Sequence, residues 1–278
     1  MMTSKTIGTL ALEAMLVEVS ATPKPGLVDR NNSGAHRDMC FFTFLRSAAS
    51  LRSCFEEFAE SGYTGGITHT HTADIFPALR EIGIRAEADM FAATEGINTH
   101  KGEIFSLGVV SAAAGYLAGK NETLTAERVL NLCGEICAGL CGRDFAGVRE
   151  KPNPTKGERA YIQHGIAGIR GEAEAGYPCV RDAGLPALRK YLAEGLSMND
   201  ALVMALVHIM AVNYDTNIIS RHDLKTAREV MTIAENIIAG GEGLDALRRL
   251  DDEFIARNIS PSGSADLLAV TYLVHSFQ

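Results

Sequence analysis

An all-α fold is what this sequence predicts, and three observations carry that expectation. Apolar residues recur at helical spacing through nearly the whole chain. No stretch alternates apolar and polar residues as a half-buried strand would. Helix start signals precede several of the apolar-periodic segments, and the connections between segments mostly hold Gly, Pro or Asn, which set turns and stop helices.

Taken in order, the first predicted helix is 5–20, where Ile7, Leu10, Ala11 and Ala14 form an apolar stripe that Lys5, Glu13 and Glu18 are expected to leave intact. The second, 39–60, follows Phe41, Phe44, Leu45 and Ala48. Thr72 precedes an acidic first turn and opens 73–93. A polar run leads into 99–118. Helix 125–143 places Cys133, Cys137 and Cys141 at i, i+4 and i+8, so that they share one face. Helices 157–171 and 181–194 come next. Ser197, with Asp200 three residues on, resembles a capping box and opens 198–213, whose Val203, Leu206, Val207, Met210 and Ala211 keep helical spacing. Helices 223–239, 244–256 and 264–276 complete the chain, the last opened by Ser264 after Pro261 and Gly263. There is no Ser/Gly-rich linker, composition shift or repeat of about 20–50 residues. Residues 1–278 therefore read as a single catalytic domain of about 10–12 helices, with the site formed by loops and helix N-termini.

Composition narrows the function. The hydrophobic fraction is 46%, as in soluble globular proteins. A net charge of -8 argues against nucleic acid as a partner, since binding its phosphates needs a basic field. The longest apolar run, Ala201 to Val212, is interrupted by His208 and is shorter than the roughly 20 residues a membrane span requires. No secretory signal is visible. Six scattered cysteines do not make a disulfide scaffold, and the Cys133–Cys137–Cys141 series reads as small apolar packing, so the expected setting is reducing and cytoplasmic.

Five polar clusters stand out. The most informative is Thr22 to Met39, T-P-K-P-G-L-V-D-R-N-N-S-G-A-H-R-D-M, too polar for core and too rich in turn formers for a helix. Pro23 and Pro25 hold the residues before them out of the helical region, and Leu27, Val28 and Met39 anchor the loop. The second is Gly96 to Phe105, where Asn98, Thr99, His100 and Lys101 stand at a helix N-terminus, a position that attracts anions. The third is Gly165 to Ala173, with Arg170 and Glu172 beside its last glycines. The fourth, Asn213 to Asp223, groups Asp215, Asn217, Arg221 and Asp223, oxygen donors suited to a hard cation such as Mg²⁺. The fifth is Ser260 to Asp266, a loop opening a helix. The His69 and His71 pair lacks an acidic partner and reads as surface.

Together these segments resemble the triphosphoribosyl-dephospho-CoA synthase family, through T-P-K-P-G-L-V-D-R-N-N-S-G-A-H-R-D-M, G-I-N-T-H-K-G-E-I-F-S-L-G, G-I-R-G-E-A-E-A-G-Y-P, D-T-N at Asp215 to Asn217, and N-I-S-P-S-G-S-A-D-L-L-A. The resemblance implies an all-helical pentosyltransferase in which the ribose 2′-hydroxyl of 3′-dephospho-CoA displaces adenine from C1′ of ATP. The product would pass to a carrier-protein-modifying transferase serving citrate lyase or malonate decarboxylase. It further implies that Lys24, Arg30 and Lys101, with Arg170 and Arg221, hold phosphates, and that Asn98, Asn217, Ser262 and Ser264 contact substrate. Mg²⁺ on the triphosphate would be gripped by some of Asp29, Asp38, Glu103 and Asp215. Asp38 or Asp29, or else His36, would act as base toward the hydroxyl, and His100 or His36 would assist the departing adenine.

Two other classes are compatible with parts of the sequence. His222 and Asp223 suggest a helical metal-dependent phosphohydrolase. A non-catalytic adaptor that binds a nucleotide or a carrier protein would also be helical and acidic. Surface alanine and leucine are compatible with a homodimer, although no heptad run specifies one.

Overall fold

Residues 104–118 are apolar, small or weakly polar on every face, a pattern that suits a helix enclosed by other helices. The computed structural model, which describes residues 2–277, places them in this way: the helix Lys101–Gly119 runs through the interior, exposed at Lys101 and enclosed by other helices over residues 104–118. Around it pack α1 (Ser4–Ser20), α3 (Arg52–Ile67), α4 (Phe76–Ala93), α6 (Ala126–Ile136) and α15 (Ser262–His275), the enclosed helix itself being α5. By length and hydropathy α5 could cross a membrane, yet 83% of its apolar window is buried inside the protein.

The tightest helix packing is a seam of glycines between α3 and α5. A Cβ on Gly62 would lie 1.9 Å from the Ala112 carbonyl oxygen, and one on Gly115 would lie 2.0 Å from that of Ala59. Gly66 and Gly119 repeat the relation one turn further on, against Tyr116 and Tyr63. Backbones this close leave no room for a methyl group, so the seam fixes the separation and register of the two helices.

A second group consists of α10 (Leu185–Ala193), α11 (Met198–Met210) and α13 (Leu224–Gly240), with α14 (Leu244–Arg257) leading back toward the site. Helix α11 packs on α10, α13 and α15, and one apolar core extends from Ile7 to Phe277. Among the described residues no strand occurs, as the periodicity predicts.

Several expected helices are divided. The span 39–60 becomes α2 (Phe41–Ser50) and the start of α3, with the break at Leu51. The span 125–143 becomes α6 and α7 (Leu140–Asp144), because Gly139 turns left-handed at φ 72°. The cysteines therefore do not share one helix; all six in the chain are free, and burial raises the Cys133 and Cys137 thiols. The span 157–171 becomes α8 (Lys156–His164) and α9 (Ile169–Glu174), separated by Gly165 and Gly168 at positive φ. A single π-type turn, Val180–Gly184, leads into α10. Helix α12 (Thr216–Arg221), expected as loop, is too short to show a period. The last helix begins at Ser262, not Ser264.

Gly62→Ala and Gly115→Ala should each lower unfolding stability by about 1–3 kcal/mol, the usual range for overpacking. Urea titration checks this, and a wild-type midpoint in both variants would contradict the close approach.

Candidate active site

The loop between α1 and α2 folds around its own carboxylate. Asp29 accepts hydrogen bonds from the backbone amides of Lys24 (3.2 Å), Asn31 (2.7 Å) and Asn32 (3.0 Å). Asp251 of α14 clamps the loop from outside, accepting from the Gly26 amide at 2.8 Å and the Asn32 side chain at 2.7 Å. Gly26 sits at φ +69°, and a Cβ there would come within 2.1 Å of the Ile259 carbonyl oxygen, so no other residue fits. The Asn199 side chain bonds both the amide and the carbonyl of Thr22. These anchors drive Lys24 inward to 1% exposure, where it forms an ion pair with Glu18 from the last turn of α1.

That pair lies in the floor of a cavity of about 380 Å³. Glu103, from the first turn of α5, and Asp266, from α15, line the same floor. Gly102 allows the two helices to meet: a Cβ there would lie 1.8 Å from Asp266 Oδ2. Lys101, Lys156 and Arg221 line the more exposed wall, together with Asn98, Asn217, Ser262 and Asp38. The cavity is thus cationic toward solvent and rich in carboxylates within.

The floor carries more acid than base. Burial raises the Glu103 carboxyl well above its ordinary value, and repulsion from Glu18 and Asp266 adds to this. Burial raises Asp266 likewise, with Asp215 and Glu18 contributing. Glu18 is raised by burial against the opposing pull of Lys24. Glu103 Oε2 is buried without a hydrogen-bond partner. Among the described residues no three His, Cys, Asp or Glu side chains form a ready metal cage. One or two free carboxylate oxygens nevertheless suit Mg²⁺, which takes most of its ligands from phosphate and water.

Both expected site histidines are neutral. His36 Nε2 lies 3.0 Å from Ser260 Oγ, and the Arg221 guanidinium approaches the ring near both of its nitrogens, at 3.3 and 3.4 Å. Burial and then Arg221 lower this imidazole to about 4. His100 occupies the N-cap position of α5 at 0% exposure, its side chain turned to Ser47, with Nδ1 2.6 Å from Ser47 Oγ. Thr99 donates to Ser47 at 2.7 Å, while His100 Nε2 is buried without a hydrogen-bond partner. Burial, then Lys24, lowers His100 to about 3.

Of the residues expected in the site, the structure brings Lys24, His36, Asp38, Asn98, Lys101, Glu103, Asn217, Arg221 and Ser262 to the cavity wall. Six others lie elsewhere, each for a visible reason. Asp29 spends its oxygens on the loop backbone. Asp215 caps α12, accepting from the Asn217 and Ile218 amides on Oδ1 and from the Ser264 amide and hydroxyl on Oδ2. Four donors saturate that carboxylate and tie Ser264 into the same joint. Arg30 is exposed and bonds Asn199 at 3.1 Å. Arg170 bonds Asp144 at 2.8 Å, outside this cavity. His100 lies behind the floor. The expected base Asp38 does line the wall, but its side chain is 65% exposed.

Sequence reasoning overlooked Glu18 and Lys156 as site residues, and it included Asp266 only as the end of the Ser260–Asp266 loop, without a role of its own. For Glu18 a signal existed: it continues the stripe of Ile7, Ala11 and Ala14, and a carboxylate on a buried stripe needs a partner. His222 bonds the Asn258 carbonyl and Asp223 caps α13, which leaves the phosphohydrolase reading without a dyad. His69 and His71 are exposed, as expected.

A cavity with cations toward solvent and carboxylates within, held between helices, has the polarity that suits a phosphorylated ligand. Comparison with known proteins makes this specific. The chain belongs to the CitG family, described as ATP:dephospho-CoA triphosphoribosyl transferase, which it matches over residues 4–278. It is 40% identical over 279 residues to the 2-(5''-triphosphoribosyl)-3'-dephosphocoenzyme-A synthase of Escherichia fergusonii, covering 99% of this chain and 91% of that one. It is 39% identical over 269 residues to the enzyme of the same name from Klebsiella pneumoniae, covering 95% and 88%. No solved structure matches.

Replacing Asp215 by Ala should cost roughly 1–3 kcal/mol of stability by leaving buried donors unpaired, readable by thermal melting. The floor carboxyls bind protons more tightly folded than unfolded, so their contribution is present at low pH and is lost as pH rises from the ordinary carboxylate range toward their folded values. His36 and His100 act in the opposite sense: their contribution is complete above 6.5 and falls as pH drops toward about 4 and about 3. Glu103→Gln should therefore raise the melting temperature more at about pH 8 than at about pH 5. Equal shifts at the two pH values would contradict a carboxyl held up by burial and like charge.

Proposed function

We propose that this chain transfers the 5-triphosphoribosyl group of ATP to the ribose 2′-hydroxyl of 3′-dephospho-CoA, with adenine as the leaving group. The observation that carries the reading is the polarity of the cavity, formed by the segments that resemble the family. In the reaction the C1′–N9 bond of ATP breaks, its electron pair leaves with adenine, and C1′ gains a bond to the 2′-oxygen. Lys101, Lys156 and Arg221 hold phosphates, with Asn98, Asn217 and Ser262 as neutral donors. The carboxylates oppose positive charge developing at C1′. Asp266 takes the 2′-hydroxyl proton, and that proton passes to the departing adenine, so the charge of the floor is unchanged over the cycle.

Glu103, with one oxygen unpaired at the floor, is the residue that would hold Mg²⁺ carried in on the triphosphate, and the ion would neutralise phosphate charge there. His36 positions Arg221 rather than serving as the base, because burial and the adjoining guanidinium disfavour its taking a proton. A carrier-protein-modifying transferase is the proposed recipient of the product, and a reducing, cytoplasmic setting is in keeping with six free thiols.

The direct test incubates the pure protein with ATP, Mg²⁺ and 3′-dephospho-CoA and follows adenine and the coupled nucleotide by chromatography with mass detection. The two should appear together and be lost in EDTA. Free triphosphoribose without adduct would mark a hydrolase, and nucleotide binding without adenine would mark an adaptor. Asp266→Asn should lower kcat about 10²–10⁴-fold, the range for loss of an acid–base group. Lys156→Ala and Arg221→Ala should each raise the KM for ATP about tenfold, as loss of a charged phosphate contact does.

A further inference from the structure

A second cavity, of about 230 Å³, opens beside the first and shares Lys101, Gly102 and Ile169 with it. Its character differs. Phe58 from α3, Phe76 and Leu79 from α4, and Ile104, Phe105 and Val109 from α5 make an apolar slot. These walls are helix faces whose backbone groups are bonded within their own helices. The polar residues along the slot already have partners: Arg80 and Arg170 share Asp144 at 2.6 and 2.8 Å, and Lys101 bonds Glu87 at 2.7 Å.

Gly83 is the informative residue. It stands in the middle of α4, where glycine is disfavoured relative to alanine, and its backbone is not left-handed. Unlike the seam glycines, it is not required by a close backbone: a Cβ there would meet only the Phe58 ring, at 3.8 Å. The absent side chain leaves room inside the slot. The neighbouring wall residue Ile84 is 63% exposed, a large apolar side chain presented to solvent.

We propose that this slot seats the pantetheine arm of 3′-dephospho-CoA, an inference that rests on the transferase reading above. The arm is long and narrow, with a gem-dimethyl group, methylene segments, a secondary hydroxyl, two amides and a terminal thiol. It is joined through a pyrophosphate to the adenosine whose ribose carries the reacting hydroxyl. Lys101, common to both cavities, lies where that pyrophosphate would cross from one to the other. Adenine is the poorer occupant, since hydrogen-bonding nitrogens take up most of its edge, whereas the arm has gem-dimethyl and methylene groups to set against the apolar walls.

Isothermal titration of the full-length protein with 3′-dephospho-CoA, ADP and ATP tests the assignment, because ADP keeps the adenosine diphosphate and lacks the arm. Gly83→Leu fills the slot, and Ile84→Ser removes an apolar wall at an exposed position that tolerates change. Both should weaken 3′-dephospho-CoA binding, Gly83→Leu by about tenfold or more, as expected for a filled apolar pocket. ADP and ATP affinities should stay within about twofold of wild type, and Gly83→Ala should melt no lower than wild type. Unchanged 3′-dephospho-CoA affinity in both variants overturns the proposal, as does an equal loss for ATP, which would put adenine in the slot. Wild-type protein that binds 3′-dephospho-CoA more tightly than ADP but releases no adenine would remove the transferase reading and leave the slot assignment intact.

Discussion

The glycine seam between α3 and α5 is the constraint on which the rest depends. It presses two helix backbones directly against one another along two turns, and no side-chain rearrangement can relax that distance. With α5 placed, the positions of His100, Lys101, Gly102 and Glu103 at its N-terminus follow. Both cavities open at that end: one toward α15 and the loop after α1, the other toward α4. A helix buried on all sides is also a rigid support, so site residues in its first turn inherit little of the motion of a surface loop.

The second constraint is electrical. A lysine at 1% exposure is tolerable only beside a carboxylate, and Glu18 meets that need from the end of α1. Glu103 and Asp266 then share the same low-dielectric floor without a cation each. Such a floor is strained in favour of taking up positive charge, whether as a proton, a metal ion or a developing cationic carbon. Stability alone does not call for this arrangement, since apolar residues of similar volume would fold with less conflict. The excess of buried acid is therefore a better indication of chemistry than any single motif in the chain.

The helical class, the approximate positions of most helices and the polar segments that converge on the cavity were legible from residue order, because helical period and turn chemistry are local properties. Membership of the family was legible for the same reason, as its motifs are contiguous. The division of 39–60 at Leu51 was not, since no glycine or proline marks it. The roles of Asp29 and Asp215 were equally hidden. A carboxylate that holds a loop or caps a helix has the same composition as one that meets substrate, and the difference lies in where its lone pairs point.

What the sequence by itself determined is thus the fold class, the family and most of the residues that gather at the cavity. The tertiary structure decided which of them are free to act. It withdrew Asp29, Asp215, Ser264, Arg30, Arg170 and His100 from the cavity wall, brought in Glu18 and Lys156, and gave Asp266 a place in the floor. The physical reason is that burial, hydrogen-bond saturation and charge repulsion depend on contacts between residues far apart in the chain, as between Glu18, Glu103 and Asp266, which no local pattern encodes.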